Sequence, residues 1–206
     1  MSQYFKIHPG SPQPRLIHQA VEIIRAGGVI AYPTDSSYAL GCAIGNKEAM
    51  ERIRRIRKVG PEHNFTLVCK DLSELSNYAK VNNDTYRRLK RFTPGPYTFI
   101  LAATREVPRR LQHPKRRSIG LRVPDYPIVS ALLTQLGEPL MSSTLIMPGE
   151  DLPLNDPENI RERLEHAVEL VVDGGPCDWQ PTTVVDMVSG APEVRREGKG
   201  SVGAFA

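Results

Sequence analysis

The run Gly27-Gly28-Val29-Ile30-Ala31-Tyr32-Pro33-Thr34-Asp35-Ser36-Ser37-Tyr38-Ala39-Leu40-Gly41-Cys42 joins an apolar stretch to hydroxyls gathered around one carboxylate. Val29 to Tyr32 reads as a buried strand. Pro33 has no N–H for a sheet ladder, so it stops or edges that strand. Thr34, Asp35 and Ser36 then stand at a strand end, where α/β domains bind small polar ligands. The same residues also read as a plain turn, since Pro, Asp and Ser are ordinary turn formers.

Cations supply the second chemistry. Arg52, Arg54, Arg55, Arg57 and Lys58 form one cluster, and Arg87, Arg88, Lys90 and Arg91 a second. Arg105, Arg109, Arg110, Lys115, Arg116 and Arg117 form a third. Residues 1–122 hold 22 Lys and Arg against 9 Asp and Glu, a net +13, whereas residues 123–206 are net −9. Such a half-molecule is suited to phosphates or nucleic acid, provided that the clusters converge. Dispersed over solvated helix faces, the same charges would bind nothing in particular.

Familiar catalytic loops are missing. Gly198-Lys199-Gly200-Ser201 lacks the upstream glycine and following helix of a phosphate-binding P-loop. No Gly-x-Gly-x-x-Gly follows a strand, and no Gly-x-Ser-x-Gly elbow is present. The three cysteines (Cys42, Cys69, Cys177) and five histidines are scattered, without disulfide or metal spacing. Reduced thiols, no apolar run of membrane-spanning length and no apolar leader core give the expectation of a cytoplasmic protein without a membrane partner, a monomer or weak dimer.

These residues must be carried by an alternating scaffold. Helices are expected over Arg15–Ala26, closed by Gly27-Gly28, from the cap Asn46 to about Arg57, from Asp71, over Asn82–Phe92, over Pro127–Leu136 closed by Gly137, and from Asp156-Pro157 to about Glu165. Strands are expected over Phe65–Cys69, Thr98–Ala102, Ile119–Val123, Leu140–Ile146, Glu169–Val172, Thr183–Met187 and Glu193–Arg196. With no repeat, 206 residues of this pattern make one α/β domain. The late strands lack crossover helices, so the twisted open sheet should mix parallel and antiparallel pairs. Residues 1–14 read as an N-terminal extension, 147–155 as a mobile loop and 199–206 as a flexible tail.

Five segments in order resemble the YrdC-like family. They are Gly27 to Cys42, Pro94-Gly95-Pro96-Tyr97-Thr98, Arg122-Val123-Pro124, Thr182 to Asp186, and Arg196-Glu197-Gly198. The resemblance spans nearly the whole chain and implies a YrdC-like fold with a concave basic face. Active members make threonylcarbamoyl-adenylate from threonine, bicarbonate and ATP with Mg²⁺, for tRNA modification. Two positions depart from the synthase pattern. The basic Lys-x-Arg falls on Arg57-Lys58-Val59, with Lys58 as a stand-in for the lost cation, and the Ser-x-Asn falls on Thr144-Leu145-Ile146. These departures resemble the YciO branch.

The resemblance implies that Thr34 and Tyr38 line an amino-acid and nucleotide pocket, that Arg57, Lys58, Arg122 and Arg196 face phosphate or carboxylate, and that Ser142, Ser143, Thr144 and Thr183 give hydroxyl contacts. No covalent catalytic residue is assigned. Threonine and ATP or AMP are the expected small ligands. Double-stranded RNA or tRNA is the expected macromolecular partner, held by Arg52, Arg55, Arg87, Arg88, Arg91, Arg109, Arg110, Lys115 and Arg116. The alternative is a non-catalytic double-stranded-RNA-binding module.

Overall fold

The structure, a computed structural model, describes residues 1–203 and 205. Ten strands form one sheet: β1 Gln3–Lys6, β2 Ile30–Tyr32, β3 Ala39–Ala43, β4 Thr66–Val68, β5 Tyr97–Ala102, β6 Ser118–Arg122, β7 Leu140–Thr144, β8 Leu170–Asp173, β9 Thr183–Asp186 and β10 Glu193–Arg196. Their order is β1-β8-β2-β3-β7-β4-β6-β5-β9-β10. Four pairs are parallel (β1/β8, β2/β8, β4/β6, β5/β9) and five antiparallel (β2/β3, β3/β7, β4/β7, β5/β6, β9/β10), giving the mixed open sheet.

The helices start and stop where local chemistry dictates. In α2 (Lys47–Arg57), α3 (Leu72–Tyr78) and α4 (Asn83–Phe92), the side chains of Asn46, Asp71 and Asn82 each accept a first-turn N–H. Pro begins α1 (Pro14–Arg25), α5 (Pro127–Leu136) and α6 (Pro157–Leu164), where its missing N–H costs nothing. Gly137 closes α5 in the left-handed region.

The two faces of the sheet are covered unequally. On one face Leu40, Leu67, Phe99, Leu121 and Val185 pack with Ile53 of α2, Leu75 of α3, Leu89 of α4 and Ile160 of α6. On the other, Ile30, Tyr32, Val68, Leu140 and Leu170 pack with Ile17 and Val21 of α1 and Ile128 and Leu132 of α5. Strand side chains alternate between faces. The second face therefore continues across the middle strands as Thr66, Thr98, Ile100, Ser118, Gly120 and Val184, and these line an open hollow.

Three segments depart from expectation. Residues 3–6, inside the presumed extension, are β1, paired in parallel with β8 at the sheet edge. Ala39–Ala43 is a full strand between β2 and β7. The presumed tail is docked at its start: Thr183 Oγ1 donates to the Gly200 carbonyl at 2.5 Å and Tyr97 OH to that of Ser201 at 3.1 Å. Of that tail, Ala204 and Ala206 lie outside the described residues.

Candidate anion site

The hollow is a cavity of about 470 Å³ whose walls include Arg57, Arg116, Arg122, Arg195 and Arg196. Ser142, Ser143 and Thr144 of β7 line it, as does Ile146. Five guanidiniums at one small cavity are unusual, because burial of like charge is costly unless anions offset it.

Each arginine arrives by its own route. Arg122 ends β6 on the cavity-facing register of Ser118 and Gly120. Its Nη2 is ion-paired with Asp35 Oδ1, and both side chains are only 9% exposed. Asp35 Oδ2 accepts the Asp125 N–H at 2.9 Å, which fixes the carboxylate. Arg122 Nε is buried with no hydrogen-bond partner among the described residues. Arg195 and Arg196 are consecutive, yet both face the cavity. The β9–β10 ladder skips a residue between Val194 and Arg196, and such a bulge cancels the alternation. Arg196 donates to the Thr182 carbonyl at 2.9 and 3.2 Å.

Two carboxylates neutralise part of this charge. Asp35 serves Arg122. Asp186, at the end of β9, accepts Arg116 at 2.6 Å and Arg195 at 3.2 Å. Burial alone would raise the Asp186 pKa, but the Val188 N–H and the two arginines outweigh it and hold it below the usual carboxylate value. Arg57 and Arg196 have no carboxylate partner among the described residues. Burial lowers the pKa of both, and the Arg122 charge lowers that of Arg196 further. Guanidinium remains charged at neutral pH regardless.

Arg57 projects from the end of α2. Its Nη1 donates to Ser143 Oγ at 2.6 Å and lies 3.0 Å from His63 Nε2, and its Nε reaches the Ile146 carbonyl at 3.4 Å. His63 Nε2 is also 2.9 Å from Ser143 Oγ. Burial first, then the charges of Arg57 and Arg54, push the His63 imidazole down to about 4. It is neutral at physiological pH.

Of the residues expected to bind a small ligand, the cavity brings together Arg57, Arg122, Ser142, Ser143, Thr144 and Arg196. Four lie outside its walls. Thr34 is buried, donating to the Ser37 carbonyl at 2.7 Å and receiving the Ser36 N–H, so the turn consumes it. Tyr38 lies in the opposite core layer, its hydroxyl donating to the Gly175 carbonyl at 2.9 Å. Thr183 faces away on the β9 alternation and holds Gly200, while its neighbours Thr182 and Val184 line the cavity. Lys58 is the left-handed cap of α2, exposed beside Glu51 and Arg55, so it does not take the place of a cation at Val59. Ser142 lines the cavity, but its hydroxyl is shared by Tyr32 at 2.7 Å and the Leu40 carbonyl at 3.2 Å.

The basic clusters do not all converge. Arg116 joins the cavity wall, and Arg109, Arg110 and Lys115 are exposed along the same segment, whose Leu111 and His113 also line it. Arg110 caps the Gly45 carbonyl. Arg87, Arg88 and Arg91 are exposed on α4, none of whose residues lines the cavity. Arg52 is pinned to Glu169 at 2.8 Å, and Arg55 is exposed on α2. Sequence reasoning missed His63, His113, Arg195 and Asp186 as wall or counter-charge residues. Only Asp186, ending a recognised strand motif, carried a local signal.

No three His, Cys, Asp or Glu side chains converge into a metal cage among the described residues. Five guanidiniums repel a cation, and the nearby carboxylates, Asp35 and Asp186, are already paired with arginines, so the cavity wall does not fit a protein-held Mg²⁺. No helix is long and apolar enough to cross a membrane among the described residues.

A family model described as telomere recombination, covering Sua5, YciO and YrdC, matches residues 22–198. The chain belongs to the Sua5/YciO/YrdC family. Within the family it is 58% identical to YciO of Escherichia coli over 205 residues, with 100% of both chains covered. The crystal structure of E. coli YciO superposes with a TM-score of 0.96 at 57% identity over the full length of both. A Coxiella burnetii protein named threonylcarbamoyl-AMP synthase is 30% identical, over 84% of this chain and 94% of its own. P. abyssi Sua5 complexed with L-threonine shares the fold, with a TM-score of 0.87 at 23% identity over 96% of this chain and 58% of that one.

Proposed function

We propose that the cavity binds a nucleotide together with a small carboxylate-bearing amino acid and joins them as an acyl-adenylate, in the manner of the threonylcarbamoyl-AMP synthases. The observation that carries this reading is the presence of two arginines without carboxylate partners among the described residues, the partly buried Arg57 against β7 and the more exposed Arg196 on β10, in one cavity with Arg122. β7 and β10 stand five strand spacings apart, roughly 24 Å on a flat sheet and less on a coiled one. That span suits a ligand with two separated anionic groups.

Threonine nitrogen takes up CO₂ from bicarbonate to give a carbamate. A carboxylate oxygen of the carbamate bonds to the α-phosphorus of ATP as the bond to the β-phosphoryl oxygen breaks, and pyrophosphate leaves. The chain contributes position and positive charge: Arg57 and Arg196 offset phosphate charge as it shifts to the leaving group. A metal ion accompanying ATP would be held by the nucleotide and would supply counter-charge to its phosphates, since the cavity wall does not fit one. Ile146 gives only a backbone carbonyl to Arg57, so the amide contact of the synthase pattern is replaced by an arginine–serine–histidine cluster.

The test is pyrophosphate release from ATP that depends on both L-threonine and bicarbonate. Arg57→Ala should lower kcat/KM by about 100-fold, as for loss of one preorganised charge donor. No dual dependence, or full activity in Arg57→Ala, rejects the reading.

A second reading rests on the exposure of Arg109, Arg110 and Lys115 beside the cavity wall. That strip would hold an RNA backbone by charge, with duplex RNA or tRNA favoured because few aromatics accompany it for stacking on single strands.

A further inference from the structure

His63 lies in the loop between α2 and β4, and no sequence pattern marks it. Arg57 can only donate hydrogen bonds. Its Nη1 sits 3.0 Å from His63 Nε2, so that nitrogen must present a lone pair and the proton of the neutral ring must be on Nδ1. Ser143 Oγ completes the cluster, 2.6 Å from Arg57 Nη1 and 2.9 Å from His63 Nε2. Arg57 Nε is spent on the Ile146 carbonyl, which leaves Nη2 without a partner among the described residues. The guanidinium is therefore tied back through Nε and Nη1, one nitrogen of each two-donor edge, and offers Nη2 alone to a ligand.

We infer that His63 is a positioning residue that takes up a proton when an anion enters the cavity, and that this protonation releases Arg57 to grip the anion through its full fork. The inference rests on the anion-binding reading of the cavity. The groups facing His63 are Arg54 and Arg57 from α2, Ser143 from β7, and Glu62 and Asn64 beside it in its own loop, with Phe65 edge-on to the ring at 5.4 Å. Burial and two arginine charges keep the ring neutral, and Glu62 alone opposes them. An anion on Arg57 cancels part of that field and favours imidazolium. Once Nε2 carries a proton it can no longer accept from Nη1. Two donors then face each other, and Arg57 turns toward the anion, where a bidentate contact is stronger than a single one.

Proton uptake follows from the sign of the shift. The free protein holds His63 neutral through the mildly acidic range, and the complex holds it partly protonated there, so binding draws a proton from solution. Anion affinity should therefore rise as pH falls from about 7 toward about 5.

The experiment is an NMR titration of the histidine ring Cε1–H signals of the full chain between about pH 5 and about pH 7.5, without and with inorganic pyrophosphate, a range set by the ordinary imidazole value. The His63 signal is assigned by its absence in His63→Gln and, independently, by through-bond correlation in the wild type. Without pyrophosphate the signal should stay at its neutral position throughout. With saturating pyrophosphate it should titrate inside the window, a rise of about one pH unit or more. Arg57→Gln should abolish the ligand-induced shift. An ordinary titration of His63 in the free protein overturns the inference, as does saturation of other cavity resonances with His63 unmoved, which leaves the proposed function standing. No response from any cavity resonance overturns both.

Discussion

Arg122 stands in the cavity wall and is tied into the fold by Asp35. Their pair is nearly sealed from water, and each partner has a second anchor: Asp35 holds the Asp125 N–H, and Arg122 reaches Ser36 Oγ at 3.3 Å. A buried pair adds little over apolar packing, but removing one partner strands the other charge. Asp35→Asn should therefore cost about 3 kcal/mol of stability, read as a lower denaturant midpoint at unchanged slope. If the cavity takes anions, added pyrophosphate should restore part of that loss by binding the folded state alone. An unchanged midpoint would mean that Arg122 is already compensated by solvent. At this scale Arg122 was legible in sequence as a strand-end cation before a proline. Asp35 was legible only as a turn carboxylate, because its partner lies 87 residues away.

At the scale of elements, the segment after β10 decides where Arg196 points. Gly198 donates its N–H to Thr183 Oγ1 at 3.0 Å, Lys199 N–H reaches the Pro181 carbonyl at 2.9 Å, and Lys199 Nζ reaches the Asp35 carbonyl at 2.8 Å. A Cβ on Gly198 would overlap the Pro181 carbonyl oxygen and lie 2.6 Å from Thr182 backbone atoms, neither of which can swing aside. Gly198→Ala should undock Lys199–Ser201. The Lys199 amide would then exchange faster while core amides are unchanged, and ATP affinity would fall about tenfold with the loss of one well-placed arginine contact. Unchanged exchange at Lys199 would show that the segment does not depend on this close approach. A flexible-tail reading follows from glycine content alone. The docking arises because Thr183, turned away from the cavity by strand alternation, meets that backbone.

The exposed cations of the whole molecule fall into groups beside the cavity and away from it. Arg109, Arg110 and Lys115 lie along the segment whose Leu111 and His113 line the cavity, whereas Arg87, Arg88 and Arg91 sit on α4, none of whose residues lines it. If duplex RNA binds on the cavity side, log affinity should fall with log salt by roughly 0.7–0.9 per phosphate engaged. Replacing Arg109, Arg110 and Lys115 together with alanine should reduce that slope by about two, and replacing Arg87, Arg88 and Arg91 should leave it unchanged. Equal effects from the two triple variants would remove the cavity side as the RNA surface.

The six helices, eight of the ten strands, their caps and breakers, the mixed sheet and the family were determined by the chain read on its own, because each depends on periodicity or motifs within a few residues; β1 and β3 were not. α5, from Pro127 to its Gly137 stop, is such a case. Which side chains share the cavity was decided only in three dimensions. Strand order sets β7, β4, β6, β5 and β9 side by side from distant parts of the chain, register selects alternate residues on β5 and β9, and one bulge admits both Arg195 and Arg196. The same geometry withdrew Thr34, Tyr38, Lys58 and Thr183, and it brought His63 against Arg57. Such contacts are long-range, and no local pattern encodes them.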